Sequence, residues 1–195
     1  QVAELPESAQ LGRKLARSGR HKEALAELSK AIDRDACREP ETLYTASLAA
    51  ACVKDHETCV RFGKLALEAR PKSLHALSTT AIALARLKRH DEAIPLLQRA
   101  VDRRPFDPTG HRNLGMCYFH SGSLARSLGA LLRSLDLQRK DPKTVRLIKK
   151  VLAGFKTAEE ARRAVEQEVK KAHPALNAPT LEILESLMAE REGAG

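Results

Sequence analysis

Cys52, His56 and Cys59 bring three metal-ligating side chains into one short stretch. Their spacing, C-x3-H-x2-C, has no fourth donor close by. A structural zinc site takes four, so no metal is expected here. His21, His56 and His90 recur at intervals of 35 and 34 residues, each three residues before a small side chain. If each sits on its own helix pair, neighbouring copies cannot share an ion, because packed helices lie roughly 8–10 Å apart. They read as residues that pack a turn. No C-x-x-C pair joins the four cysteines, Cys37, Cys52, Cys59 and Cys117, and free buried thiols in a reducing compartment are the expectation. A Cys52–Cys59 disulfide is the alternative in an oxidising one. No phosphate-cradling G-x-x-x-x-G-K-[ST] loop, G-x-S-x-G elbow or H-E-x-x-H helix occurs, and nothing at sequence level joins Ser, His and Asp into a triad. The chain is read as a non-enzyme that needs no cofactor.

The strongest charge signal is the run Arg139, Lys140, Lys143, Arg146, Lys149 and Lys150, in a chain of net charge +9 and pI about 9.6. A solvated helix start is its plainest reading. An acidic protein surface, nucleic acid or lipid headgroups are the others. Only 3% of the residues are aromatic and none is Trp, which argues against stacking of single-stranded bases. No apolar run reaches the 18 residues that would signal a membrane span, and no signal peptide is legible. The chain opens at Gln1 without a methionine, as a processed protein or an excised fragment would. A cytoplasmic protein is expected.

The elements behind these residues repeat. Leu74, Leu77, Ala81, Leu84 and Leu87 have helical spacing, and so do Ala93, Leu96, Leu97, Ala100 and Val101 beyond a turn at Lys88-Arg89-His90. Steps of 34 residues from Leu74 land on Pro40, Pro108 and Pro142. Proline suits a first helical turn, where its missing N–H would have no partner. In the same register Ala24, Cys59, Ala93 and Ser127 are the small residues early in each second helix. Ala31, Ala66, Ala100 and Ser134 are the late ones, and Pro71 and Pro105 close two units. The first unit begins near Leu5 and carries one extra residue before Pro40.

Leu11-Gly12 with Gly19 and Ala24, Leu114-Gly115 with Tyr118 and Gly122, and Ala93 with Ala100 and Pro105 resemble the tetratricopeptide repeat family, whose period is 34. The resemblance covers residues 5–141. Ser8, Leu43, Leu77 and His111 stand where the family often has a large aromatic residue. A fifth, degenerate unit is expected at 142–175, with stripes of Val145, Ile148 and Leu152 and of Ala161, Val165 and Val169. Thr157 to Glu160 forms a capping box, and Glu168 replaces the late small residue. After Pro174, Leu181, Leu184, Leu187 and Met188 suggest a capping helix over about 179–191, with 193–195 a loose tail. The whole of 1–192 is then a single domain with repeats at about 5–38, 40–73, 74–107 and 108–141.

The resemblance implies an all-α, right-handed superhelical solenoid whose first helices line a concave groove. The lining would be Gln10, Arg13 and Arg17 in unit one, and Glu41, Tyr44, Thr45, Leu48 and Cys52 in unit two. Unit three would give His75, Ser78, Thr79, Ile82 and Arg86. Unit four would give Thr109, Arg112, Asn113, Met116 and His120, and the fifth Lys143, Arg146, Leu147 and Lys150. Some family members grip a C-terminal carboxylate with a Lys and Asn pair, but Ala9 and Arg13 hold the matching places here. The implied function is a protein–protein adaptor or scaffold that takes an acidic, partly apolar segment in its groove. The alternatives are a basic platform for nucleic acid or an anionic surface, and a self-associating array.

Overall fold

The computed structural model describes residues 4–34, 36–171 and 175–193. Among them the chain forms eleven α-helices and no strand. In order these are α1 (Glu7–Arg17), α2 (His21–Asp33), α3 (Pro40–Cys52), α4 (His56–Ala69), α5 (Leu74–Arg86), α6 (His90–Arg103), α7 (Pro108–His120), α8 (Leu124–Leu137), α9 (Pro142–Gly154), α10 (Ala158–Lys171) and α11 (Ala178–Gly193). The chain packs as two compact bodies of several repeats each, hereafter unit 1 (residues 1–96) and unit 2 (residues 97–195), and the division falls inside α6.

The helix starts follow the local chemistry. Pro40, Pro108 and Pro142 each occupy a first turn, behind the caps Glu39, Asp107 and Asp141. Leu74 opens α5 without a proline, and there Ser73 accepts from the Ala76 N–H. Four of the five hairpin turns place one left-handed residue at the same register position. Gly19 and Gly122 supply it without strain, at φ 77° and 79°. Lys54 and Lys88 do so at φ 64° and 61°, against the steric preference of an L side chain. The added residue of the first unit falls in 34–39, where Ala36 also takes a positive φ of 51°; Asp35 lies outside the described residues.

In unit 1, Leu28, Ile32, Leu43, Ala46, Phe62 and Ala66 form a core shared by α2, α3 and α4. Each fully buried large side chain contributes roughly 2 kcal/mol. Small residues let the helices of a hairpin meet. Gly12 faces Leu28, and the Ser47 hydroxyl donates to the Cys59 carbonyl at 2.9 Å. In unit 2 the same contact is reversed: Ser127 donates to the Gly115 carbonyl at 2.7 Å. In both units one hydroxyl at this crossing satisfies a carbonyl, whichever helix carries it.

Unit 2 has its core among Leu128, Leu131, Leu135, Ile148, Leu152, Val165, Leu184 and Met188, from α8, α9, α10 and α11. The Thr157 cap is present, with its Oγ accepting from the Glu160 N–H at 3.1 Å, but the Glu160 carboxylate turns to the Lys156 N–H. Glu168 lies over Gly129 of α8. The final helix is two residues longer than expected at its end: Gly193, assigned to a loose tail, is its last residue. Pro174, Ala194 and Gly195 lie outside the described residues. α11 is tied at both ends. Asn177 donates to Asp136 through its backbone N–H at 2.7 Å, and Arg191 donates to the Leu152 and Phe155 carbonyls at 3.3 Å. Among the described residues no helix is long and apolar enough to cross a membrane.

Candidate functional site

In unit 1 the first helices α3 and α5 enclose an open trough of about 640 Å³. Leu48, Ala51, Ile82 and Ala83 provide its apolar walls. Leu48 and Ile82 are 39% and 42% exposed, which is unusual for such side chains on helices that otherwise bury their apolar residues. Lys54, Arg86 and His56 stand at its rim, and no carboxylate lines it. The left-handed backbone of Lys54 places that cation in the turn beside the trough. Next to it, the Tyr44 and His75 rings lie 5.8 Å apart on α3 and α5. Thr45, Ser78 and Thr79 are half-buried on the same two helices.

The expected groove residues therefore divide by what holds them. Leu48, Thr79, Ile82 and Arg86 come together in one concavity. Arg17 is exposed on α1. Arg13, by contrast, is not an open cation. It donates to Glu41 at 2.7 Å and to Glu39 at 3.5 Å, while Glu39 caps α3 through the Thr42 N–H. Arg112 is committed in the same way. Its Nη1 lies 2.9 Å from Oδ2 of Asp141, the cap of α9. That carboxylate also accepts from the Thr144 hydroxyl at 2.6 Å and the Thr144 N–H at 3.1 Å. Burial pushes the Asp141 carboxyl up. The Thr144 hydroxyl, Arg112 and two backbone N–H groups outweigh it and hold the group at about 2. These two arginines join a first helix to the cap of the next one, a role that spacing alone did not reveal. A signal was available: a capping carboxylate next to a helix-starting proline, with an Arg in the preceding first helix.

Elsewhere in unit 2, Thr109 and His120 are exposed, and Asn113 and Met116 are half-buried on α7. Lys143, Arg146 and Lys150 are exposed on α9 and have no acidic partner among the described residues. Lys149 pairs with Glu190 at 2.7 Å. A second cavity of about 500 Å³ lies against α6, α8 and α10, but its charges are mostly spent on each other. Glu168 pairs with Lys171 at 3.1 Å, and Arg133 with Asp136 at 3.3 Å. His111 in its wall is pushed below its ordinary value by burial and hydrogen-bonds the Pro105 carbonyl at 2.9 Å.

The second helices of unit 1 likewise use their cations internally, through Arg61–Asp33 at 2.7 Å and Lys64–Glu92 at 3.0 Å. His21, His56 and His90 each open a second helix, beside the hairpin turn. All four cysteines are free thiols. Cys37, Cys59 and Cys117 are buried, and burial pushes Cys117 up to about 11. Cys52, expected both among the buried thiols and in the groove lining, is exposed at the end of α3 and lines the trough. Among the described residues no group of three His, Cys, Asp or Glu side chains is placed to hold a metal ion.

A profile of the tetratricopeptide repeat matches residues 65–108 and 78–143. No curated protein sequence matches the chain. Among solved structures it is similar to MamA from Desulfovibrio magneticus RS-1, with 21% identity and a TM-score of 0.69 over 94% of this chain and 98% of that one. It is also similar to MamA AMB-1, with 17% identity and a TM-score of 0.70 over 88% of this chain and 92% of that one. YrrB, described as a TPR protein with an unusual peptide-binding site, is 17% identical with a TM-score of 0.71 over 96% of this chain and 91% of that one. At these identities the likeness speaks for the fold, an all-α helical-repeat solenoid. Repeat register, paired helices and matching profile agree, and residues 65–143 carry tetratricopeptide repeats.

Proposed function

We propose that this protein is a scaffold for protein–protein interaction, which seats an acidic, partly apolar segment of a partner on the face made by its first helices. The observation that carries this reading is the α3–α5 trough: two exposed aliphatic side chains, a cationic rim and no carboxylate in the lining. An apolar side chain of the partner would cover Leu48 and Ile82, and its carboxylates would meet Lys54 and Arg86. Tyr44, His75, Thr45, Ser78 and Thr79 would bound the segment. Arg17 would add to it from the first repeat, and within unit 2 Thr109, Asn113, Met116 and His120, with Lys143, Arg146 and Lys150, would make that unit's own first-helix face. Arg13 and Arg112 would shape this face through their ion pairs. The peptide-binding site ascribed to YrrB supports a peptide-sized ligand for a related fold. One array of four repeats, a degenerate fifth and a capping helix is the organisation proposed for the whole chain, in the cytoplasm, where free thiols persist.

Selection from a displayed random-peptide library tests the reading. Enriched peptides should pair an aliphatic or aromatic residue with a nearby Asp or Glu. Leu48→Asp with Ile82→Asp should weaken them at least about tenfold while leaving thermal unfolding unchanged. Enrichment of basic peptides, or affinity indifferent to both substitutions, would overturn it.

A further inference from the structure

We infer that the exposed face of α9 is a docking surface for an acidic, amphipathic helix of a partner protein. This deepens the reading of the chain as a partner-binding scaffold but uses a surface separate from the α3–α5 trough. Between Arg139 and Lys156 seven cations stand against one carboxylate, Asp141, and that carboxylate is already taken by Arg112. In the rest of unit 2 eleven cations face eleven carboxylates, so the whole charge excess of the unit lies in this segment.

Arg146 shows why the excess is open. It stands one repeat on from Arg112, at the same place in its first helix. Arg112 meets the capping carboxylate of the next first helix, Asp141. α11, which follows the α9–α10 hairpin as α9 follows α7–α8, is capped instead by Asn177, whose Oδ1 accepts from the Thr180 N–H and whose amide donates to the Asp136 carbonyl. An amide offers Arg146 no charge. A carboxylate brought by a partner would supply what Asp141 supplies to Arg112.

The spacing points to a helix as the carrier. Lys143, Arg146 and Lys150 lie at i, i+3 and i+7 on one face, with rises of about 4.5 and 6 Å. Carboxylates at the same spacings on a helix lying alongside rise by the same amounts. Half-buried Leu147 sits among these cations and gives the partner helix an apolar contact. Nucleic acid is less well matched. α9 carries no aromatic side chain on which a base could stack, and Phe155 at its end is buried. The helix N-terminus, moreover, is already capped by Asp141.

The test uses the full chain and a labelled synthetic helical peptide with Glu at i, i+3 and i+7 and Leu at i+4 in an Ala background. A control peptide has the same composition with its carboxylates spread around the helix. Anisotropy should show the first peptide binding several-fold tighter than the control. Lys143→Glu, Arg146→Glu and Lys150→Glu together should weaken it at least about tenfold, with helical circular dichroism retained. Arg146→Gln, which cannot endanger folding by charge reversal, should weaken it several-fold. Leu48→Asp with Ile82→Asp should leave this peptide unaffected, which separates failure of the trough from failure of α9. Equal binding of the two peptides would overturn the inference. So would tighter binding of single-stranded RNA, or of phosphatidylserine vesicles, lost on the same substitutions.

Discussion

Unit 1 and unit 2 place different chemistry at one position of a shared register. Arg13, Leu48 and Ile82 hold it in unit 1, Met116 and Lys150 in unit 2. None of the five is buried, so the core does not dictate their types. The core positions, by contrast, stay small or aliphatic throughout: Ala24, Cys59, Ala93 and Ser127 are all fully buried. A helical hairpin thus fixes where an outward side chain stands and leaves its chemistry open. That is how one fold offers an apolar trough in one unit and a cationic stripe in the other.

The two units also lock successive first helices with the same kind of ion pair, at different depths. Asp141 is 9% exposed and binds Arg112, the Thr144 hydroxyl and two backbone N–H groups. Glu39 is 31% exposed, and Arg13 has Glu41 as a second acceptor. Asp141→Ala should therefore cost about 3 kcal/mol, since it uncaps α9 and strands a half-buried Arg112. Glu39→Ala should cost about 1 kcal/mol. Denaturant unfolding of the two variants measures the contrast, and equal losses would break it.

The pH dependence sharpens the same point. Asp141 is held at about 2 in the folded chain against an ordinary value of 3.8. A depressed carboxylate adds stability above its unfolded value and loses it as pH falls through the folded one. About 2 kcal/mol should thus disappear between roughly pH 4 and pH 2. Asp141→Asn should flatten that part of the unfolding profile.

Close packing differs between the units as well. A methyl added at Gly63 of α4 would meet the Thr80 and Ser47 side chains in the core of unit 1. At Gly129 of α8 it would meet only the mobile end of Glu168. Gly63→Ala should cost about 2 kcal/mol, and Gly129→Ala should be neutral or gain up to about 1 kcal/mol of helix propensity. The turns give the smallest effect. Lys88→Gly in unit 1 should stabilise by about 0.5 kcal/mol, and Gly122→Lys in unit 2 should destabilise by about 1 kcal/mol, both by thermal unfolding.

The sequence made the repeats readable because their determinants are local. Pro40, Pro108 and Pro142 mark first turns, and Gly12 and Gly115 mark helix contacts, within a period that needs no tertiary information. The destination of a long side chain is not local. Arg13 and Arg112 look like open groove cations until Glu39, Glu41 and Asp141 are placed beside them from 26 to 29 residues away. Cys52 passes for a buried thiol by type, while its place in the register puts it in the groove lining, and it is exposed. Gly193 reads as tail by type, yet α11 continues through it.

Whether the first-helix face takes a partner is most directly measured by amide NMR shifts of the isotopically labelled chain during titration with a library-selected acidic peptide. Shifts should concentrate on α3 and α5, around Leu48, Thr79, Ile82 and Arg86, and vanish in the Leu48→Asp, Ile82→Asp chain. Shifts confined to the second helices α2 and α4, or unchanged by those substitutions, would contradict a docking role for that face.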